Sequence, residues 1–374
     1  MKLEILKENL KSGLSVVEKN IGKNLSLPIL DNVLINTEDS FLNLISTDLE
    51  TVIRLWILTK VIKKGKAVIP VKFLSNFISS LPDEKIAIEV KGQNLHIECQ
   101  NFKTQIQGYD PEEFPIIPEF KELEVLEIDN KRFCQGISQV VNIAYQSTTR
   151  PEISGIYFSF SKNTVTIAAT DSFRLAEKNI ILENSVNKER SFILPQKSAR
   201  EIISILEDKE GLLKIYFSEN QVLCEFPLKE IKHPQIQITS RLVEGDYPNY
   251  KDIIPNKFQT NIVLKKDEFL NQIKIASLFS NRNNEVKISV NPKNKQVEIF
   301  AQNPSVGQNK SNLLAKIEGD PAEISFNYKF LIDGLSNIKS SEVIFAISKE
   351  DGPCILKPMA DTSYIYVVMP IKSI

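Results

Sequence analysis

One apolar helical face is written three times along this chain, and that repetition limits the folds open to it. Leu10, Leu14, Val17 and Ile21 recur in register as Phe133, Ile137, Val140 and Ala144, then as Phe269, Ile273, Ala276 and Ser280. Spacings of this kind line one side of an α-helix, and only Ser280 is not apolar. A second helix follows each copy, entered from a strand: VIPVKFLSNFISSLP, ILPQKSAREIISILE and SFNYKFLIDGLSNIK. Counted from Pro70, Pro195 and Asn327, its inward positions are Leu74/Phe77/Ile78/Leu81, Ala199/Ile202/Ile203/Leu206 and Leu331/Gly334/Leu335/Ile338.

Between the helices lie runs rich in Val, Ile and Phe with polar turns, at 32–48, 155–171 and 286–303, which read as β-hairpins. Each repeat is therefore two helices on an antiparallel sheet, an α+β layer. The phrase YDPEEFPIIP at 109–118 returns as GDYPNYKDIIP at 245–255, and its prolines mark ends of folding units. The expected domains are 1–118, 119–255 and 256–374. Cys99 follows Pro70 by 29 residues and Cys224 follows Pro195 by 29, which puts both at one equivalent strand position as small buried hydrophobes.

The remaining composition excludes more than it assigns. The most apolar run, VIRLWILTKVI, is broken by Arg54 and Lys60, and the start MKLEILKENL lacks an apolar signal core, so no membrane span or export is expected and a cytoplasmic address follows. Four separated cysteines and two histidines offer no zinc spacing, and neither a metal nor a cofactor is expected. A net charge of −1 argues weakly against nucleic acid, which most binders hold with a basic surplus. No nucleophile–base pair or glycine-rich phosphate loop supports an enzyme.

Some polar positions also repeat. Lys72, Lys197 and Lys329 each sit two residues after the strand exit, in a first helical turn whose dipole disfavours cations. Two readings stand: a phosphate contact, or inheritance by duplication. Arg200, Arg132, Gln135 and Gln139 extend such polar faces. Thr-Asp ends a hairpin at 47–48 and 170–171, with Gln302-Asn303 in the third copy, and reads as a side-chain-to-backbone turn. Apolar residues in ATDSFRLA and YIYVVMPIK read either as core or as a groove for partner peptides.

LPILDNVLI, STDLE, ATDSFRLA, YPNYKDIIP and YVVMPIK, in this order on a three-repeat frame, resemble the bacterial DNA sliding clamp family, the beta subunits of DNA polymerase III. The resemblance covers the whole chain. It implies three clamp domains, a head-to-tail homodimer closed into a ring around double-stranded DNA, and a non-enzymatic processivity factor. The implied partners are the replicative polymerase catalytic subunit, the clamp loader, and other polymerases and repair proteins. A repeat-built scaffold that never encircles DNA is the alternative. Lys23, Lys72, Lys197, Arg200 and Lys329 are the candidate DNA contacts, Lys23 standing in where the family often has a basic residue at the position of Asn24.

By the same resemblance, a partner-peptide groove is walled by Ile153, Thr170, Leu175, Pro248, Ile253, Val367, Met369 and Pro370, with Arg150 and Arg174 at its rim. Leu278 and Phe279 are the expected apolar part of the dimer interface, with Ile106 as counterpart. The chain departs from the family pattern at Ser172-Phe173, where Gly-His is common, and at Ile371, and its tail continues through Ser373 and Ile374. Those departures bear on which peptides it prefers.

Overall fold

The computed structural model describes residues 1–21, 27–117, 120, 125–145, 147, 149–186, 188–228 and 233–371. Six α-helices lie among them: α1 Lys7–Val17, α2 Val71–Ser80, α3 Asn130–Val140, α4 Gln196–Leu206, α5 Lys266–Ser277 and α6 Tyr328–Ser336. The repeated faces turn inward. Leu10, Leu14 and Val17 are buried, as are Phe133, Ile137 and Val140, and Phe269, Ile273 and Ala276.

The fourth expected position overshoots in every copy, because α1, α3 and α5 stop before Ile21, Ala144 and Ser280. The chain leaves each helix through tighter i→i+3 bonds, Ile21 N–H to Glu18 O, Ile143 N–H to Val140 O and Ser280 N–H to Ser277 O. At α1 the exit is pinned further: the Ser46 hydroxyl donates to Val17 O, and the Asn20 amide donates to Thr51 O, both buried. A periodic pattern reports which face is apolar, not where hydrogen bonding changes step.

Two compact units form. The first comprises Met1–Lys131 with Arg200–Leu242, the second Arg132–Ala199 with Val243–Ile374. The first holds an eight-stranded antiparallel sheet in the order Val125–Asp129, Leu212–Phe217, Gln221–Pro227, Pro234–Arg241, Thr51–Leu58, Phe41–Thr47, Asn32–Glu38, Lys66–Pro70. Half of it comes from the first repeat and half from the second, joined where Thr51–Leu58 pairs with Pro234–Arg241, with Ile53 opposite Ile238. A five-stranded sheet ending on Phe102–Ile106 completes this unit.

The second unit repeats the plan. Its nine-stranded sheet runs Arg190–Pro195, Gly155–Ser161, Thr164–Thr170, Arg174–Ile181, Tyr364–Val368, Cys354–Pro358, Glu342–Ile347, Thr260–Lys265, Lys316–Gly319. The second and third repeats join where Arg174–Ile181 pairs with Tyr364–Val368, with Leu175 opposite Val367. A four-stranded sheet ends on Gly307–Leu314. Cys99, Cys134, Cys224 and Cys354 are all buried thiols. No helix among the described residues is long and apolar enough to cross a membrane.

The Thr-Asp turns do what their chemistry suggests. Asp48 accepts from the amides of Glu50 and Thr51, and the Thr47 hydroxyl oxygen accepts from Leu49. Asp171 accepts from Phe173 and Arg174, and Thr170 from Ser172, while in the third copy Asn303 accepts from Ser305. One oxygen of each carboxylate is taken by backbone donors. Leu49 and Ser172 take φ 77° and 75°, the left-handed region where glycine carries no penalty. That geometry explains why glycine suits the position of Ser172.

Candidate peptide groove, helix lysines and open sheet edges

The proposed groove residues gather in the second unit. A short helical turn, Pro151–Ile153, stands beside the joint strands, and a second, Tyr250–Ile253, closes over them. Across the sheet Thr170 lies opposite Leu175 and Leu175 opposite Val367, so three candidate residues form one row. Tyr250, Ala168, Ala346 and Ile355 bury that row together with Tyr157, Tyr247 and Ile254. Leu175 and Val367 are therefore floor, almost fully covered. Pro248, Met369 and Pro370 are half-buried, while Ile253 is 49% exposed and offers the apolar surface a ligand would meet.

Arg174, expected at the rim, is part-buried and braced by two carboxylates. Its guanidinium bonds Asp171 at 2.8 Å, bonds Asp333, and lies 4.6 Å from the centre of the Phe330 ring. Burial works against the charge, but Tyr366 and the hydrogen bonds donated to Asp333 and Asp171 outweigh it and hold the group above its ordinary range. Asp333 is 159 residues away in sequence, so no short motif shows this bond. Arg150 does lie at the surface, paired with Glu152 at 3.1 Å.

Phe173 is exposed beside this site, and its carbonyl accepts from Met369 N–H at 2.9 Å. In the sequence it stands out only as a departure from the family pattern. Tyr250 donates to Glu177 at 2.6 Å, and burial together with that carboxylate raises its phenol above the ordinary range. The floor is thus fixed by a hydrogen bond as well as by packing.

Lys72, Lys197 and Lys329 are exposed at the second residue of α2, α4 and α6, and Arg200 is exposed on α4. The three helix starts differ. Pro70 provides no side-chain cap to α2, whereas Asn327 accepts from Lys329 N–H at 3.0 Å at α6, so one amide that an anion would seek is already satisfied there. Lys23 lies outside the described residues. A polar cleft of about 630 Å³ borders α3, lined in part by Arg132, Gln135, Gln139, Lys178 and Lys339.

Of the three interface candidates, Leu278 is 72% exposed at the end of α5 and Phe279 is half-buried. Ile106 is corrected: it is 4% exposed, held on its strand opposite Leu95 within its own sheet. The exposed aromatic on that edge strand is Phe102, and Val306 and Leu314 are exposed at the ends of the other edge strand. Phe102 shares the phase of Thr104 and Ile106 and lies opposite the buried Cys99, so alternation alone does not mark it as exposed.

Comparison with known proteins agrees with this architecture along its length. Family models of the DNA polymerase III beta subunit match in order: the N-terminal domain at residues 1–118, the central domain at 127–249 and the C-terminal domain at 251–372. The beta sliding clamp of Bacillus subtilis is 28% identical over 385 aligned residues, covering all of both chains, and that of Staphylococcus aureus is 29% identical over 368, covering 95% of each. The crystal structure of the Bacillus subtilis DNA polymerase sliding clamp superposes with a TM-score of 0.94 at 27% identity over the full length of both chains. The Pseudomonas aeruginosa DNA polymerase III subunit beta, at 23% identity and a TM-score of 0.93, shares the fold over the same extent. The chain belongs to the DNA polymerase III beta subunit family, the non-catalytic beta sliding clamps of bacterial replication.

Proposed function

We propose that two copies of this chain close head to tail into a ring around duplex DNA and tether the replicative polymerase to it. The observation that carries this is a pair of open sheet edges. Counting from the hairpin turns, Thr51–Leu58, Arg174–Ile181 and Gly307–Leu314 hold the same place in the three repeats. Phe102–Ile106, Pro234–Arg241 and Tyr364–Val368 correspond likewise after the second helices. Two such pairs zip within the chain. The third pair, Phe102–Ile106 and Gly307–Leu314, ends its sheets without a partner among the described residues.

Their exposure supports the reading. Ile53 and Leu55, or Leu175 and Ala176, are buried where a joint exists, whereas most of Phe102–Ile106 and Gly307–Leu314 is not. A second copy satisfies both edges by the pairing the chain already uses twice, and a head-to-tail contact that closes leaves no raw edge. Phe102, Leu278, Phe279, Val306 and Leu314 supply the apolar surface beside it.

A ring holds DNA topologically, so 46 basic against 47 acidic residues is no obstacle. Lys23, Lys72, Lys197, Arg200 and Lys329 then serve as loose phosphate contacts that permit sliding. The groove around Ile253, Pro248, Met369 and Pro370 takes short apolar segments of the polymerase catalytic subunit, the clamp loader, and other polymerases and repair proteins, in the cytoplasm. Domains end near 118 and 255 in this reading.

Loading onto nicked circular DNA with the cognate loader, followed by linearisation, tests it. Clamp lost from the cut ends is expected. Retention after cutting, or no retention on the intact circle, favours a scaffold that does not encircle DNA.

A further inference from the structure

The groove of the second unit has an internal counterpart in the first. Ile45, Leu34, Val52 and Ile117 cluster in the first unit at the repeat positions that Ala168, Tyr157, Leu175 and Ile254 occupy in the second. The short turn Pro28–Asp31 corresponds to Pro151–Ile153, and the residues before them, Leu27 and Arg150, share nearly one conformation, φ −137° with ψ 79° and φ −137° with ψ 72°. Leu49 occupies the turn position of Ser172 with nearly the same φ. Even the duplicated Ile-Ile step behaves alike: Ile117 and Ile254 pack inward, while Ile116 and Ile253 face solvent.

The side chains that meet solvent differ in kind. Arg150, Ser172 and Ile253 surround the second site; Leu27, Leu49 and Ile116, all exposed, take their places in the first, with Ile116 94% exposed. Arg174 is replaced by Thr51, whose amide Asp48 holds as Asp171 holds that of Arg174. Within a few residues of Leu27, Leu49 and Ile116 along the chain, Asp31, Glu50, Glu112 and Glu113 are exposed carboxylates, and the Arg241 N–H donates to Glu50 O. The segments that carry the three apolar residues are acidic.

We propose that the first unit carries a second docking site, for an extended segment whose bulky apolar side chains are flanked by lysine or arginine. Apolar residues kept solvent-facing on a duplicated groove scaffold are the contact points, and the acidic segments that carry them select the flanks. This goes beyond the function proposed above and holds whether or not the second-unit groove binds anything.

The test titrates the full-length protein into two fluorescent peptides, Lys-Lys-Gly-Leu-Phe-Gly-Lys-Lys and the same sequence with glutamates for lysines. The lysine-flanked peptide is expected to bind more tightly, to lose about tenfold or more in affinity with Ile116→Ser combined with Leu49→Asn, and to be unaffected by Ile253→Ser. Ile116→Ser alone decides the matter if the double variant fails to fold, since a side chain this exposed supports no core. Binding that survives the first-unit substitutions, binding lost to Ile253→Ser instead, equal or better binding of the glutamate peptide, or no binding of the lysine peptide each overturns the proposal.

Discussion

The two strand joints share a backbone and differ in what fills it. In the first unit Ile45, Val68 and Phe114 form a small cluster with a single aromatic ring; in the second, Tyr157, Tyr247 and Tyr250 stack and tilt against one another over Leu175 and Val367. The turn beside the first presents Thr51, the turn beside the second a part-buried Arg174 bound to two carboxylates. Duplication thus conserved hydrogen-bond geometry at the Thr-Asp turns while side-chain volume and charge diverged. A backbone amide donates whatever side chain its residue carries, so the accepting Thr and Asp were kept while the donor residues changed, and packing accepts any set of side chains that fills the space.

The sharpest way to break this comparison is to empty the second joint. Leu175→Ala is expected to cost about 3 to 4 kcal/mol, because the covering tyrosines cannot collapse into the void, against about 1 kcal/mol for the half-buried Val52→Ala; denaturant unfolding reads both, and equal losses would mean the joints are packed alike. Next, Arg174→Ala should cost about 2 to 3 kcal/mol by stranding Asp171 and Asp333 and uncovering Phe330, whereas Thr51→Ala should cost less than about 1 kcal/mol.

Titration separates the joints further. Tyr250 is raised above its unfolded value by burial and by Glu177, so its neutral form stabilises the fold below the ordinary tyrosine range, and that contribution is lost as pH rises above it. Unfolding measured above about pH 10 should therefore show a slope that Tyr250→Phe reduces by up to about 1.4 kcal/mol per pH unit, while Phe114→Leu leaves the slope unchanged. The smallest effect belongs to the turns: Leu49→Gly and Ser172→Gly should each stabilise by about 0.5 to 1 kcal/mol through relief at positive φ, read as a raised melting temperature.

Much of this was written in the residues themselves. The inward faces of α1, α3 and α5 and the Thr-Asp turns depend on interactions within a few residues, and both were correctly read from spacing. The bond from Arg174 to Asp333 was not legible, because Asp333 comes from another repeat, nor was the burial of Ile106, because it depends on Leu95 within a sheet whose order no local pattern gives. Leu175 and Val367 carry the right chemistry for a groove, yet the tyrosines that cover them approach from the segment 247–250. Helix ends were overrun because three-residue bonds leave no mark on apolar periodicity.

The shared ladders carry a consequence for any attempt to divide the molecule. The family boundaries fall after residues 118 and 249, but the long sheets run across them, so the ancestral copies and the compact units do not coincide. A fragment cut at an ancestral boundary would bare Thr51–Leu58 or Arg174–Ile181 and invite adhesion to whatever strand came near. Split proteins made from this chain should keep both of these β-ladders whole, which a cut between its copies does not.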